Sequence, residues 1–491
     1  MAGPGTGKTH TLTRRIEGLC QELEKGQQVL AITFTHKAAR EMQERLKTLL
    51  HDDLDRIYVG TFHSFCLKVL RHFRELAQLP DDFRILLPEE TQNLAKELWP
   101  KLSSAERNHR LEEISRCKSD AEVFSHPQWL DHYNQHLKRR GCLDFDDLIA
   151  LTVELMKHHS SARIELQRGL RHICVDEFQD INARQHELLK QLTSAEEKIF
   201  LTAIGDPNQA IYGFRGSRVI YFENFASDFA GAQILELSEN YRSAQSLLKA
   251  STQVMAKDQR FGVPSVVAKM QAEGHLIIHA AATDKAEAEF VVHEIEKLVG
   301  GTSLFSLDSK RVDSAGEAEV GFADIAVLYR LNSQRFVLEE AFSRSGIPFF
   351  TSADQSREEW QDWKKPEQNS QKAESNNFET QKVSLLTLHA AKGLEFRVVF
   401  IIGCESNLLP LQMDQMMADP QEERRLFYVG MTRAKTKLYL THAGRRQLYG
   451  QFRQQTPSPF INDIEEDLKA YHVSNQKSRP KKKQTQIGLF D

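Results

Sequence analysis

Short apolar runs alternate with amphipathic helical patterns through the first half of the chain. This alternation is typical of a parallel sheet covered by helices. The predicted buried strands are Val29–Thr33, Ile57–Gly60, His172–Val175, Ile199–Ile204 and Ile234–Leu237. Between about Pro88 and Glu165 the strand pattern stops and long amphipathic helices take over. The pattern therefore predicts an α/β domain that carries a helical insertion.

A second α/β set begins near Tyr241. Its predicted strands are Leu276–Ala280, Ile325–Tyr329, Val383–Leu388, Val398–Ile402 and Leu438–Thr441. Two stretches of low hydrophobicity interrupt it, Gly300–Gly321 and Ser352–Thr380, and we expect a loop and a linker there. After about Tyr471 the polar, basic composition predicts disorder.

Composition narrows the class of protein. The 491 residues, 40% hydrophobic and 27% charged, suffice for two to four domains of about 100–200 residues. No apolar run approaches the roughly 18 residues of a membrane span, and no signal peptide is recognisable. The six cysteines are scattered without metal-ligand spacing, so we expect a reducing cytoplasm and no membrane. The net charge of −4 argues against a globally basic nucleic-acid coat, so any such binding needs a local groove.

The N-terminal residues form a phosphate-binding loop. Its residues are Ala2, Gly3, Pro4, Gly5, Thr6, Gly7, Lys8 and Thr9. Backbone N–H groups of such a loop bind phosphates, Lys8 reaches the β/γ oxygens, and the Thr9 hydroxyl ligates Mg²⁺. The helix that begins at Lys8 points its positive end at the same phosphates. The loop predicts ATP and Mg²⁺ as the nucleotide and the metal.

Two further segments follow predicted strands. Asp176 and Glu177 have a Walker B arrangement, in which Asp176 holds Mg²⁺ and Glu177 polarises the attacking water. In Gly205–Gly216, Gln209 is placed to sense the γ-phosphate, while Tyr212 and Phe214 offer faces on which bases stack. Core packing is the alternative for these two rings.

A separate acidic group, Asp144, Asp146 and Asp147, is interpreted as a helix start rather than a metal site. A nuclease is disfavoured, because no other acidic cluster has metal-ligand spacing.

Nine segments, in order, resemble those of superfamily 1 DNA helicases of the UvrD/Rep/PcrA type. Besides the three segments already described, they are Ile32–Ala39, Gly60–Ser64, Leu143–Leu148, Glu239–Ser243, Thr387–Phe396 and Glu423–Ala434. The resemblance implies an α/β fold with two RecA-like parallel-sheet domains, a helical insertion in the first and a disordered C-terminal tail. The expected boundaries are 1–87 with 166–240, the insertion 88–165, 241–350 with 383–470, the linker 351–382 and the tail 471–491.

The resemblance also implies roles for individual residues. Arg242 and Arg433 would approach the γ-phosphate from the second domain, Tyr241 would stack on adenine, and Glu395 would accept a hydrogen bond from the ribose. The single-strand track would contain Phe34, Thr35, Thr61, His63, Tyr212, Phe214 and His389. His36 and Asn208 stand where an Asn and an Asp are common. The implied function is an ATP-dependent helicase or translocase that moves 3′→5′ on single-stranded DNA, including single/double-strand junctions, in repair or replication.

Three departures qualify that expectation. Family members carry a segment before the loop that supplies a strand and a glutamine reading adenine. We therefore expect an upstream segment or another polypeptide to complete the domain, or an impaired protein. Only Thr351–Lys382 stands where relatives have a large insertion, which puts unwinding in doubt. The tail residues Gln486, Leu489 and Phe490 resemble the peptide by which bacterial proteins bind the β sliding clamp; chance is the alternative. Two other readings stay open: a translocase that strips proteins from DNA but unwinds poorly, and a DNA- and clamp-binding module without ATP turnover.

Overall fold

The structure is a computed structural model of the chain. It describes residues 1–50, 53–120, 127–194, 198–258, 260, 266–300, 320–351, 382–413 and 416–472. The predicted linker at 352–380, most of the loop at 300–321, and the clamp-like residues Gln486, Leu489 and Phe490 lie outside these ranges. None of the helices in these ranges is long and apolar enough to cross a membrane.

A four-stranded parallel sheet organises the first half of the chain, which we call the first lobe. Its strands are β1 (Gln28–Thr33), β2 (Ile57–Thr61), β3 (Leu170–Val175) and β4 (Phe200–Ala203). Their spatial order is β2-β1-β3-β4, with β1 at the centre between β2 and β3. Continuous apolar runs form these strands because helices cover both faces of the sheet. Four of the five predicted strands are thereby confirmed.

The fifth predicted strand, Ile234–Leu237, is wrong. Leu237 forms a single parallel bridge with Ala2, and the strand Glu239–Asn240 begins two residues later. Ile234 and Leu235 are 65% and 76% exposed. Apolar side chains alone did not make a strand here, because a strand also needs a neighbour that takes up its backbone hydrogen bonds over several residues.

Helices surround the first sheet and form the predicted helical region beside it. They are α1 (Lys8–Glu22), α2 (His36–Leu50), α3 (Phe62–His72), α4 (Pro88–Leu98), α5 (Ser104–Ser119), α6 (Gln128–Arg139), α7 (Phe145–His158), α8 (Ser160–Gln167) and α9 (Ala183–Thr193). Leu94, Trp99, Ile114, Leu130 and Tyr133 belong to a separate buried core among α4, α5 and α6.

The acidic group Asp144–Asp147 starts α7, as predicted. The Asp144 carboxylate accepts the backbone N–H of Asp147, and the Asp147 carboxylate accepts the backbone N–H of Asp144. Buried Lys118 pairs with both carboxylates at 2.7 Å. Among the residues described, no group of three or more His, Cys, Asp or Glu has the geometry of a metal site.

A seven-stranded, wholly parallel sheet organises the second lobe. Its strands are β5 (His275–Ala281), β6 (Ile325–Tyr329), β7 (Phe349–Thr351), β8 (Val383–Thr387), β9 (Phe396–Ile401), β10 (Ala434–Ala443) and β13 (Lys469–Tyr471). Their order is β7-β8-β6-β9-β10-β5-β13. All five strands predicted for this half are confirmed, and with them the α/β class with two parallel sheets.

The second lobe also has four helices of eight or more residues within the described ranges, and a hairpin. The helices are α10 (Gln245–Met255), α11 (Asp284–Gly300), α12 (Arg335–Ser345) and α13 (Pro420–Met431). The hairpin pairs β11 (Arg445–Leu448) with β12 (Gln451–Gln454) in antiparallel fashion.

A buried charge network ties the start of this hairpin to the sheet. The Arg446 guanidinium donates to Glu405 Oε1 at 2.6 Å and to a carboxylate oxygen of Glu287. Glu287 also accepts the Thr441 hydroxyl at 2.6 Å, and Glu405 accepts the Ala443 N–H at 2.7 Å. Arg446, Glu287 and Glu405 are 3%, 1% and 0% exposed. One arginine thus balances two carboxylates that water does not reach.

We predict that Arg446→Met destabilises the protein by about 3–5 kcal/mol at pH 8, because both carboxylates lose their buried cation. The loss should shrink at pH 5.5. Burial already raises the pKa of the Glu405 carboxyl, and loss of the arginine raises it further, so the folded variant gains stability by taking up a proton as pH falls and loses that gain as pH rises. Urea unfolding followed by circular dichroism at both pH values measures the effect.

Arg14→Met is the matched control. Its ion pair with Glu17 is at the surface, where the Arg14 side chain is 54% exposed, so we expect a change below about 1 kcal/mol at either pH. An Arg446→Met loss that is equally large at both pH values would show that lost packing, and not the unpaired carboxylates, causes it.

Candidate nucleotide and nucleic-acid site

The phosphate-binding loop lies where the first lobe meets the second. Gly7 has a left-handed φ of 81° and ends the loop at the first turn of α1, where no side chain caps the helix. The N–H groups of that turn therefore point to a position that an anion can fill. Thr6 stabilises the loop from within, since its hydroxyl donates to the Gly3 carbonyl at 2.8 Å.

Gly5 is the point of closest approach to the segment that leads into the second lobe. Its φ is +69°, and a Cβ built there would lie 2.5 Å from Arg242 Cβ and 2.7 Å from Asn240 Nδ2. Two hydrogen bonds close the contact: Tyr241 N–H donates to the Gly5 carbonyl at 2.8 Å, and Asn240 Nδ2 donates to the Pro4 carbonyl at 2.6 Å. Glycine is required here for both reasons, its backbone conformation and the lack of space.

The Walker B acids face the loop, as the sequence predicts. The Thr9 hydroxyl donates to Asp176 Oδ2 at 3.4 Å, and Lys8 Nζ lies 3.8 Å from Glu177 Oε1. Burial opposes ionisation of Glu177, but the positive charges of Lys8 and Lys392 lower its pKa to about 2. Burial and the charge of Glu177 raise the pKa of Asp176 to about 6.

This donor set fits Mg²⁺. Asp176 and Thr9 provide the hard oxygen ligands that Mg²⁺ prefers in a nucleotide site. A divalent cation next to the Asp176 carboxylate would also reverse the upward shift of its pKa.

The two predicted arginines approach this region from the second lobe, Arg242 beside Gly5 and Arg433 within electrostatic reach of Glu177. Arg433, 1% exposed, donates to the Val429 carbonyl at 2.9 Å and lies 3.4 Å from Gln209 Oε1. Burial and the neighbouring positive charge of Arg242 lower the pKa of Arg433 to about 9. Two guanidinium groups that repel each other beside a helix N-terminus fit a phosphate group, whose charge would favour both.

The remaining predicted nucleotide residues are close by but engaged with protein groups. Glu395 accepts Arg242 Nε at 2.8 Å and pairs with Lys435 at 2.7 Å. Gln209 Nε2 donates to Asp206 Oδ2 at 2.6 Å. Tyr241 is 60% exposed, so one face of its ring is accessible for stacking.

Four of the predicted DNA-binding side chains form one continuous row. Phe34 stacks on Tyr212 with ring centroids 5.3 Å apart, Tyr212 touches Phe214 at 6.1 Å, and Phe214 meets His389 edge-on at 5.4 Å. Phe214 is 65% exposed. The row crosses from the first lobe, which supplies the three rings, to the second, which supplies the histidine.

The other three predicted DNA-binding residues have local structural roles. The side chains of Thr35 and Thr61 accept backbone N–H groups at the starts of α2 and α3. His63 packs edge-on against Phe145, with ring centroids 5.9 Å apart. The side chains of Thr35, Thr61 and His63 thus have local partners outside the row.

The two predicted track histidines are neutral at physiological pH. Burial, with a contribution from His36, lowers the pKa of His63 to about 4. Burial, with the positive charges of Arg330, Arg215 and Lys392, lowers the pKa of His389 to about 3. These rings therefore offer stacking faces and hydrogen-bonding nitrogens rather than positive charge.

Three side chains by which the second lobe holds the segment Gln209–Gly213 were not predicted from the sequence. Lys392 Nζ donates to the Gln209 carbonyl at 2.7 Å, Arg425 Nε donates to the Ala210 carbonyl at 2.9 Å, and Glu422 accepts the Gly213 N–H at 3.0 Å. All three stand inside or next to the motif segments already quoted. Their charge was the available signal, but their partners are backbone groups that no side-chain pattern reveals.

Both lobes match models of one protein family. The UvrD/REP helicase N-terminal domain matches residues 1–230, and the UvrD-like helicase C-terminal domain matches residues 235–362 and 367–445. Among similar proteins, one from Staphylococcus aureus is 28% identical over 650 aligned positions, covering 98% of this chain and 86% of that protein. One from Leuconostoc citreum is 27% identical over 638 positions, covering 95% and 83%. Both are named ATP-dependent DNA helicase PcrA.

These alignments are longer than the 491 residues of the chain, so the relatives have segments without a counterpart here. The family models nevertheless cover most of both lobes, including the phosphate-binding loop, the Walker B acids, both arginines and the aromatic row. The chain belongs to the UvrD/REP helicase family.

Proposed function

We propose that this protein is an ATP-dependent DNA helicase or translocase that uses Mg²⁺, moves 3′→5′ on single strands and serves DNA repair or replication. The observation that carries the proposal lies at what we call the seam, where the phosphate-binding loop and Glu177 of the first lobe face Arg242 and Arg433 of the second. There Glu177 lies 3.8 Å from Lys8 and is also subject to the positive charges of Lys392 and Arg433. The names of the relatives support the same activity. Polarity is supported by the family resemblance, and displacement of streptavidin from the 5′ but not the 3′ end of a biotinylated strand would test it.

The residues of the seam divide the hydrolytic work. Thr9 and Asp176 would hold Mg²⁺, which supplies neutralisation of phosphate charge when bound. Lys8 and the N-terminus of α1 bind the phosphates from the first lobe. Glu177, ionised because its pKa is about 2, orients and polarises the attacking water. Arg242 and Arg433 stabilise the charge that spreads over the phosphoryl oxygens, a contribution typically of about 10³–10⁵ in rate.

The same arrangement converts hydrolysis into motion. Phosphate oxygens contacted by Lys8 on one side and by two arginines on the other draw the lobes together, and loss of the γ-phosphate removes that attraction. Because the aromatic row spans both lobes, a change in their spacing changes the distance between Phe214 and His389, which are now 5.4 Å apart. Bases stacked along the row would therefore be moved stepwise.

The row favours single-stranded DNA without sequence preference. Every base has a π-face, so stacking on the exposed Phe214 ring is tolerant of sequence, in contrast to hydrogen-bond readout. The neutral His389 ring extends the stacking surface without adding charge. The family resemblance adds junctions between single and double strands to the proposed substrates.

Two other functions stay distinguishable from the leading one. A translocase that strips proteins but unwinds poorly is favoured by the segments that the relatives have and this chain lacks. A binding module without turnover would bind single strands but would not hydrolyse ATP.

The C-terminal tail supports a second partner. Gln486, Leu489 and Phe490 match the pattern of a peptide that inserts two apolar side chains into a pocket of the bacterial β sliding clamp while a glutamine sets its register. Such a tether raises the local concentration of the motor at replicating DNA without tight affinity.

We predict that Lys8→Ala abolishes ssDNA-stimulated ATP hydrolysis while ssDNA affinity stays within about threefold, because Lys8 contacts the nucleotide side of the seam only. Phosphate release with and without an oligonucleotide measures the first quantity, and fluorescence anisotropy measures the second. Lys25→Ala, at an exposed lysine beyond the far end of the same helix, should behave as wild type. Hydrolysis that survives in Lys8→Ala would disprove the assignment of the loop.

A second prediction concerns the aromatic row. Phe214→Ala should weaken ssDNA binding by about 5- to 150-fold, since one base stack is worth about 1–3 kcal/mol. Because the Phe214 side chain is 65% exposed, the melting temperature of the variant should equal that of the wild-type protein. Phe200→Ala is the control. The Phe200 ring also lies beside two cations, Arg171 and Lys198. It stands at the amino end of β4, whereas Phe34 of the row follows the carboxyl end of β1. Equal affinities for both variants would refute the track.

A third prediction concerns the tail. Replacing Leu489 and Phe490 together with alanine should remove binding to purified β clamp and leave ssDNA-stimulated ATP hydrolysis unchanged. Surface plasmon resonance with immobilised clamp measures the first, and Thr485→Ala serves as the control within the same tail. Clamp binding that persists in the double variant would make the match a coincidence.

A further inference from the structure

One ammonium group of the second lobe reaches across the seam into the first. Lys392 stands in the turn that follows β8, and its Nζ pairs with Asp180 Oδ2 at 2.5 Å. The same Nζ donates to the Gln209 carbonyl at 2.7 Å and lies 5.0 Å from the centroid of the Tyr212 ring. Its side chain is only 7% exposed. All three partners belong to the first lobe.

Each partner of Lys392 adjoins a different part of the machinery. Asp180 ends the short 3₁₀ turn that begins directly after Glu177. Gln209 lies against Arg433 through its side-chain oxygen. Tyr212 stacks on Phe34 in the aromatic row. The buried Lys392 ammonium therefore contacts residues next to the proposed hydrolytic groups and a ring of the aromatic row at the same time.

The backbone between these contacts is held firmly. Ile211 is fully buried in the hydrophobic core of the second lobe, beside residues such as Leu386 and Leu388. Arg425 holds the Ala210 carbonyl and Glu422 holds the Gly213 N–H. A displacement of the Tyr212 ring is therefore not absorbed by a flexible loop. It changes the position of the cation that lies over the ring.

We propose that Lys392 is a positioning residue that couples the stacking of a DNA base on the aromatic row, which it contacts through Tyr212, to the orientation of Gln209 and of the turn that follows Glu177. The inference rests on the proposed function, since it concerns how ssDNA stimulates ATP hydrolysis. Lys392 acts through these residues and needs no contact of its own with DNA. Because coupling between binding sites is reciprocal, nucleotide binding alters ssDNA affinity through the same cation.

The test compares the stimulation factor, the ratio of ATP hydrolysis rates with saturating ssDNA and without it. Lys392→Met keeps the length of the side chain and removes its charge, and we expect the factor to fall at least about tenfold, within the usual range of coupling between sites. The change in ssDNA affinity caused by a non-hydrolysable ATP analogue should shrink in the same variant. Lys249→Met, which removes a lysine from an exposed ion pair with Glu465, should leave both quantities as in wild type.

A second variant guards against misfolding. Lys392→Met leaves Asp180 as a buried lone charge, whereas Lys392→Met combined with Asp180→Asn leaves none, so the double variant should fold and should still lack stimulation. Tyr212→Phe, which retains the ring face, should keep the factor, and Tyr212→Leu should lose it at saturating ssDNA.

The outcomes separate the two proposals. If both rates of the Lys392 variants fall equally and the ratio is unchanged, Lys392 is merely structural and the inference is overturned while the motor stands. If the wild-type protein shows no stimulation by ssDNA, the proposed function itself fails.

Discussion

The two lobes are joined by a short stretch of backbone, Gln209–Gly213, which belongs to one lobe and is held by the other. Lys392 and Arg425 donate to its carbonyls, Glu422 accepts its last N–H, and its Ile211 side chain is buried in the core of the second lobe. Hydrogen bonds between charged side chains and backbone groups are stronger than neutral ones, and burial removes competition from water. The position of this stretch therefore determines the geometry of both the nucleotide seam and the aromatic row.

Much of the fold could be predicted because the interior strands of parallel sheets are apolar on both faces. Val327 and Phe400 show this, since each is fully buried in a run without polar interruption. Ile234 and Leu235 have the same kind of side chains but are exposed. Strand formation depends on a hydrogen-bonding neighbour as well as on hydrophobicity, and hydropathy contains no information about that neighbour.

The candidate site was predictable to the extent that chemistry requires particular side chains. The loop, Asp176 and Glu177 could be predicted because phosphates and Mg²⁺ demand those groups, whereas the roles predicted for Arg242 and Arg433 came from the family resemblance. The contact between Lys392 and Asp180, 212 positions apart, depends on how two domains meet, which no local pattern describes. Thr35 and Thr61 illustrate the reverse case, because a hydroxyl that could face DNA is equally suited to start a helix, and there it is found.

The space around Gly5 in the nucleotide loop is too small for one methyl group. The loop packs against the residues around Arg242 without spare room, since a Cβ added at Gly5 would lie 2.5 Å from Arg242 Cβ. One methyl group added at Gly5 would push the loop away from the second lobe. An error in the geometry of the bound nucleotide therefore becomes an error in the spacing of the two lobes. The same close packing transmits the loss of one phosphate from the nucleotide to distant parts of both lobes, because tightly packed contacts cannot absorb a displacement.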